Sequence, residues 1–217
     1  MKNKKAAEIL MPVLMVVIFA AAGIGLSYAV FSQTGLLAKI QQVTILGDPN
    51  CGYTAEAADG KDSGVITDFR RPAADSRYGL IRCSAIKLKA PLYYGDTDKV
   101  FEKGAGQYMD SGCPGEGTTI LVGGHDTTYF KTLGKLKKGQ IVEVSTGYGQ
   151  FRYKVDRIRK GKAADTDLWQ LDAKKEQLVM YTCWPFGSIF GERSGRYYVY
   201  AAKVSGPVIA KGAAQDE

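Results

Sequence analysis

The 217 residues are enough for one domain with a sizeable core and short for two. A formal net charge of +7 would suit an anionic partner, but the single histidine and four dispersed cysteines (Cys51, Cys83, Cys113 and Cys183) exclude a metal site of ordinary ligand spacing. Abundant glycine, recurring tyrosine and valine, and few long amphipathic stretches lean towards a β-rich domain with many turns.

The N-terminus carries the clearest signal. Lys2, Lys4 and Lys5 precede a run, residues 9–38, without one charged side chain. Its apolar part, residues 9–31, has about the length that crosses a bilayer. Basic residues on the N-terminal flank place residues 1–8 in the cytoplasm and everything after the anchor outside. A cleaved signal peptide is the competing reading, because Ser27 and Ala29 have the small-residue spacing of a cleavage site. Both readings make the domain extracytoplasmic, which argues against nucleic acid as the anionic partner. The alternating basic residues between Lys135 and Lys162 read as a solvated strand face.

Residues 32–77 read as a connector punctuated by turn residues, and residues 33–45 could prolong the anchor helix. From Tyr78 short strands alternate with turns. The pattern predicts strands at 79–88, 90–94, 118–123, 140–145, 150–158, 177–182 and 196–204. A helical turn capped by Asp98 is expected over 98–104, and helical spacing recurs at 130–136. The strand at 150–158 is the most regular, with Phe151, Tyr153 and Val155 on one face and Arg152, Lys154 and Asp156 on the other. Seven such strands argue for a closed barrel or a sandwich over residues 78–205, with residues 206–217 a flexible tail.

Three residues at strand ends carry possible chemistry: His125, Cys183 and Arg196. Together they suit acyl transfer. A thiolate is a strong nucleophile favoured by a neighbouring cation. A histidine can shuttle the proton. An arginine offers fixed donors to an oxyanion. Taken singly, each has a plainer account, as a small buried thiol, a loop cap and a surface cation stacked on tyrosines.

The order of motifs supplies what single residues do not. Thr182-Cys183-Trp184-Pro185-Phe186 resembles the Thr-Cys-aromatic-Pro-Phe signature of class D sortases. Gly124-His125, followed by Phe130, Leu133, Leu136 and Gly139, resembles the Gly-His block of that family, as do Pro114-Gly115 upstream and Tyr153-Lys154-Val155 downstream. Arg196-Tyr197-Tyr198-Val199 resembles the block that opens the last strand.

The resemblance implies an eight-stranded β-barrel behind one membrane helix. It makes Cys183 the nucleophile, His125 the general acid/base and Arg196 the oxyanion-stabilising residue. It also implies cleavage of an LPXTG-like motif after Thr, in exported proteins with a C-terminal sorting motif. Transfer is then to a cell-wall or pilin amine, without cofactor or metal. Trp184, Pro185 and Phe186 are candidate substrate contacts, with core packing an equal account of Phe186; Tyr181 reads as barrel core. Asp126 stands where class D members often have arginine. It is expected either to orient His125, to lie beside substrate, or to cap Thr128. Arg193 is a second candidate for the catalytic arginine. Two rival functions remain: a silent barrel that binds wall polymer or peptide, and a thiol–disulfide enzyme, which lacks the usual Cys-x-x-Cys pair.

Overall fold

The computed structural model describes residues 63–187, 194–212 and 214–215, with Met15, Phe19 and Gly23 of the N-terminal run. The chain divides into two compact units, Met1–Asp48 and Pro49–Glu217. In the first, the three described residues are helical. The rest of the expected anchor, and the continuation over 33–45, lie outside the described residues. Among the described residues no helix is long and apolar enough to cross a membrane.

The second unit is built on a closed barrel. Its strands are β3 (Arg77–Cys83), β4 (Leu88–Tyr94), β5 (Ala105–Gln107), β6 (Thr119–Gly123), β7 (Ile141–Thr146), β8 (Gly149–Lys162), β9 (Gln177–Trp184) and β10 (Gly195–Ser205). They close in the order β10-β8-β7-β3-β4-β5-β6-β9. The pairs β4–β5 and β6–β9 are parallel and the others antiparallel. Inside, β8 contributes Phe151, Tyr153 and Val155, as its alternation predicts, against Ile120, Val122, Leu178, Met180, Val199 and Val144. A second apolar cluster lies on the outer face of the same wall: Leu121, Val179, Tyr198 and Tyr200, packed by Leu168, Trp169 and Leu171 from the segment after β8.

The differences from the sequence expectation have local causes. The strand expected over 79–88 is cut by a 3-10 turn, Ser84–Ile86, which ends at Lys87 in the left-handed region (φ 54°). β5 was not expected at all. It is three residues long and pairs because Gly106 lets the backbones close up; a Cβ there would lie 2.4 Å from the Gly95 carbonyl oxygen. The helix α1 (Asp98–Lys103) is capped by Thr97, whose hydroxyl accepts the Val100 N–H, and not by Asp98. The helical spacing at 130–136 yields only a 3-10 turn, Leu133–Lys135, with Leu133 and Phe130 fully buried.

The connector and the tail also carry structure. β1 (Val65–Ile66) pairs in parallel with β11 (Val208–Ile209), and β2 (Phe69–Arg70) with β12 (Ala214–Gln215). Two-residue strands show no periodicity for a sequence reading to find. Phe69 and Ile209 bury themselves with Tyr94 and Cys113 over the barrel end remote from His125 and Cys183. Arg71 forks onto both oxygens of Glu116 at 3.0 Å.

Glu176, just before β9, ties this end together. Its carboxylate accepts the Gly115 and Gly117 N–H groups (3.1 and 3.2 Å), the Tyr153 hydroxyl (2.8 Å) and the Lys203 ammonium (3.0 Å). Glu176→Ala leaves four donors without their acceptor. The expected loss is about 3 kcal/mol, seen as a fall in melting temperature of roughly 6–12 °C for a domain of this size. A circular-dichroism melt checks it, and an unmoved melting temperature contradicts the assignment.

Candidate active site

Strand register brings the three residues together. β6 and β9 run parallel with Gly123 opposite Tyr181, and every pair from Thr119/Gln177 onward keeps the same offset. Two hydrogen bonds carry that register past the end of β6: Gly124 N–H to the Tyr181 carbonyl (3.2 Å) and Thr182 Oγ1 to the Gly124 carbonyl (2.6 Å). The same offset, carried two residues past the last β6 pair, assigns His125 to the level of Cys183. On the other side of β9, Cys183 pairs directly with Arg196 of β10. Neighbouring strands lie about 4.8 Å apart. Cys183 and Arg196 are thus a direct pair across β9 and β10, and with His125, two residues past the end of β6, they make a candidate row at this end of the barrel.

Side-chain alternation puts the row on the outer face. Leu178 and Met180 point into the barrel while Val179 packs in the outer cluster, so Cys183 falls on the outer side. In β10 the same alternation sets Tyr198 and Tyr200 outward and Tyr197 and Val199 inward, so Arg196 shares the face of Cys183. Directly opposed residues on one face have Cβ atoms about 5 Å apart. Cys183, His125 and Arg196 are all half-buried, which leaves each accessible to a ligand.

The surroundings are aromatic. Phe101 of α1 meets the His125 ring edge-on at 5.6 Å. Tyr181 was expected in the barrel core, but it lies on the outer face with Cys183, its ring over Gly123 and 6.0 Å from that of Tyr198. The parity of β9 decides this, and a strand end gives too few residues to fix parity from sequence alone. Burial, reinforced by Asp96, pushes the Tyr181 phenol up, with Arg196 opposing. The phenol is thus a neutral donor beside the row at any ordinary pH.

The remaining candidates separate. Phe186 packs on Tyr197 (5.2 Å between rings) at the edge of the barrel core. Trp184 and Pro185, joined by a cis peptide bond, line an open groove of about 470 Å³ with Lys160, Lys162 and Gly195. Lys160 Nζ sits 4.4 Å over the Trp184 ring. Asp126 is 3% exposed, and its Oδ2 accepts the Gly187 N–H at 2.8 Å. Thr128, which Asp126 was one candidate to cap, donates its N–H to the His125 carbonyl (3.3 Å). Arg193 lies outside the described residues. Among the described residues no cluster of His, Cys, Asp or Glu could hold a metal.

Comparison with known proteins identifies the family. A family model described as Sortase domain matches residues 81–204, more than half of the chain. The chain belongs to the sortase family. Sortase D of Bacillus subtilis (strain 168) is 32% identical over 135 residues, 62% of this chain and 68% of that protein. Sortase C1 of Streptococcus agalactiae superposes with a TM-score of 0.55 at 29% identity, covering 61% of this chain and 70% of that one. Clostridium perfringens sortase C, solved with the C-terminal cell wall sorting motif, shares the fold at a TM-score of 0.55 and 24% identity, over 60% of this chain and 72% of that one. The activity of this sortase is that of a cysteine transpeptidase acting in protein sorting.

The described cysteines differ in a way that can be measured. Cys83 and Cys113 are free and fully buried, and burial raises both thiols, that of Cys113 to about 11. A raised thiol stays protonated and unreactive near neutral pH. Iodoacetamide on the native protein is expected to modify Cys183 ahead of Cys83 and Cys113, which are labelled only after unfolding. Peptide mapping checks it; equal labelling of all three contradicts the assignment.

Proposed function

We propose that Cys183 is the nucleophile of this sortase, with His125 as general acid/base and Arg196 as the oxyanion-stabilising residue. The observation that carries the reading is the register: Cys183 pairs directly with Arg196, and the β6–β9 offset, held as far as Gly124 by the Thr182 hydroxyl, leads to His125 as the next residue.

The substrate is an exported protein with an LPXTG-like motif near its C-terminus. Cys183 as thiolate attacks the carbonyl carbon of the motif's Thr. The tetrahedral oxyanion forms against the Arg196 guanidinium, which sits opposite Cys183 in the β9–β10 pairing and carries further N–H donors besides the nitrogen that donates to the Gly195 carbonyl at 3.0 Å. The carbon–nitrogen bond breaks and His125 gives its proton to the departing amine, leaving a thioester on Cys183. An acceptor amine, from a cell-wall precursor or a pilin lysine, then attacks the thioester. His125 takes the proton from that amine, and the thiolate leaves. Water competes in the second step, so slow hydrolysis accompanies transfer.

The motif captured with the structurally similar Clostridium perfringens sortase C supports a substrate of this kind. The apolar run at residues 9–31, behind three lysines, supports a single membrane anchor with its N-terminus in the cytoplasm and the barrel outside. The thiol–disulfide alternative loses ground, because Cys83 and Cys113 are buried and unpaired while Cys183 sits apart from them at a strand end.

Mass spectrometry of the full chain in detergent, incubated with a library of motif peptides and an amine, tests this. A thioester adduct on Cys183 and a Thr–amine product are expected, both absent in Cys183→Ala. His125→Ala is expected to abolish turnover. Arg196→Ala is expected to lower kcat by about 100-fold or more, the usual effect of losing an oxyanion donor. A reactive Cys183 thiol with no motif cleaved overturns the substrate assignment.

A further inference from the structure

Asp126 is a carboxylate almost wholly withdrawn from solvent in the residue next to His125. Burying such a group is costly unless hydrogen bonds replace its water. One replacement is visible: Oδ2 accepts the N–H of Gly187, four residues beyond Cys183, at 2.8 Å. Gly187 reaches that position with φ +67°, and no heavy atom lies within 4 Å of where its Cβ would be. Glycine is therefore favoured there for the left-handed turn that aims its N–H at the carboxylate, and not for space.

The same segment grips the neighbouring residue. Phe186 lies so close over Gly134 that a Cβ there would come within 2.7 Å of its ring. The turn itself is fastened to its own origin, since Thr128 and Phe130 both donate to the His125 carbonyl, at 3.3 and 3.1 Å. With the Thr182–Gly124 bond these contacts close a small ring. On one side of it, His125 is the single residue between the anchor points Gly124 and Asp126. On the other, Cys183 follows Thr182 at the start of the stretch that ends at Gly187.

We infer that Asp126 is a positioning residue: its carboxylate tethers the start of the loop after Cys183 to the turn that carries His125, and so fixes the height of the thiol against the imidazole. It acts through the Gly187 N–H and not by contact with substrate. The inference rests on the proposed roles of Cys183 and His125. Loss of the tether should lower kcat more than it raises KM, because the reacting groups lose alignment while Asp126 itself makes no contact with substrate.

The test uses the full chain in detergent with the preferred motif peptide, alongside the rate at which iodoacetamide modifies Cys183. Asp126→Ala is expected to cut kcat at least about tenfold, with KM changed less than about twofold, since small misplacements cost catalysis steeply. The alkylation rate should change with it. Asp126→Asn, which keeps an oxygen acceptor for Gly187, is expected to restore kcat to within about threefold of the parent. Gly187→Ala, which opposes the left-handed turn, is expected to show the same kcat loss and serves if Asp126→Ala does not fold. Parent-like kcat and alkylation in Asp126→Ala, or Asn as defective as Ala, overturns the tether. If the parent cleaves no motif while Asp126→Ala still changes Cys183 reactivity and Asn restores it, the substrate assignment fails and the tether stands.

Discussion

Everything at the active end depends on the register of β9 with its two neighbours. β9 is the strand between β6 and β10, and it holds Cys183 at its end. The parallel pairing with β6 ends two residues before His125, and the antiparallel pairing with β10 sets Arg196 opposite Cys183. A slip of one residue in either ladder would turn a side chain to the other face of the barrel. The register is held along the whole length of β9 by buried Leu178 and Met180 inside and Val179 outside. It is extended beyond the last β6 pair by the Thr182 hydroxyl. The site thus rests on core packing within β9 itself, three to five residues before Cys183.

The far end of the barrel sets where β9 begins. Glu176 precedes it and gathers donors from the turn at 115–117, from Tyr153 of β8 and from Lys203 of β10. The Gln170 carbonyl takes the Thr119 hydroxyl, and the Leu168 carbonyl takes the Tyr200 hydroxyl at 2.7 Å. These contacts pin the segment between β8 and β9 against the outer wall. That segment covers the apolar cluster on the face that Cys183 and Arg196 share.

Much of this was legible in the sequence. β8 announced its faces by strict alternation, and the motif blocks around His125, Cys183 and Arg196 gave the family and the chemistry. What was not legible has a common cause: short elements carry no period. β5 has three residues, and β1, β2, β11 and β12 have two each, so only their pairing partners reveal them. Tyr181 was misplaced to the core because inward and outward differ there by one residue of parity. Asp126 left three roles open, because a buried carboxylate beside a histidine is chemically consistent with each. The Gly187 N–H that it accepts is 61 positions away, beyond any local pattern.

The central claim is that acyl transfer occurs on the outer face, between His125 and Arg196. A crystal structure of the thioacyl adduct formed by a motif-derived substrate on Cys183 tests it most directly. The acyl oxygen should lie about 3 Å from the Arg196 guanidinium, with His125 on the opposite side of the thioester and the peptide along the outer wall. An adduct turned instead to the groove of Trp184 and Lys160, on the other side of the β9–β10 pair, would contradict the account.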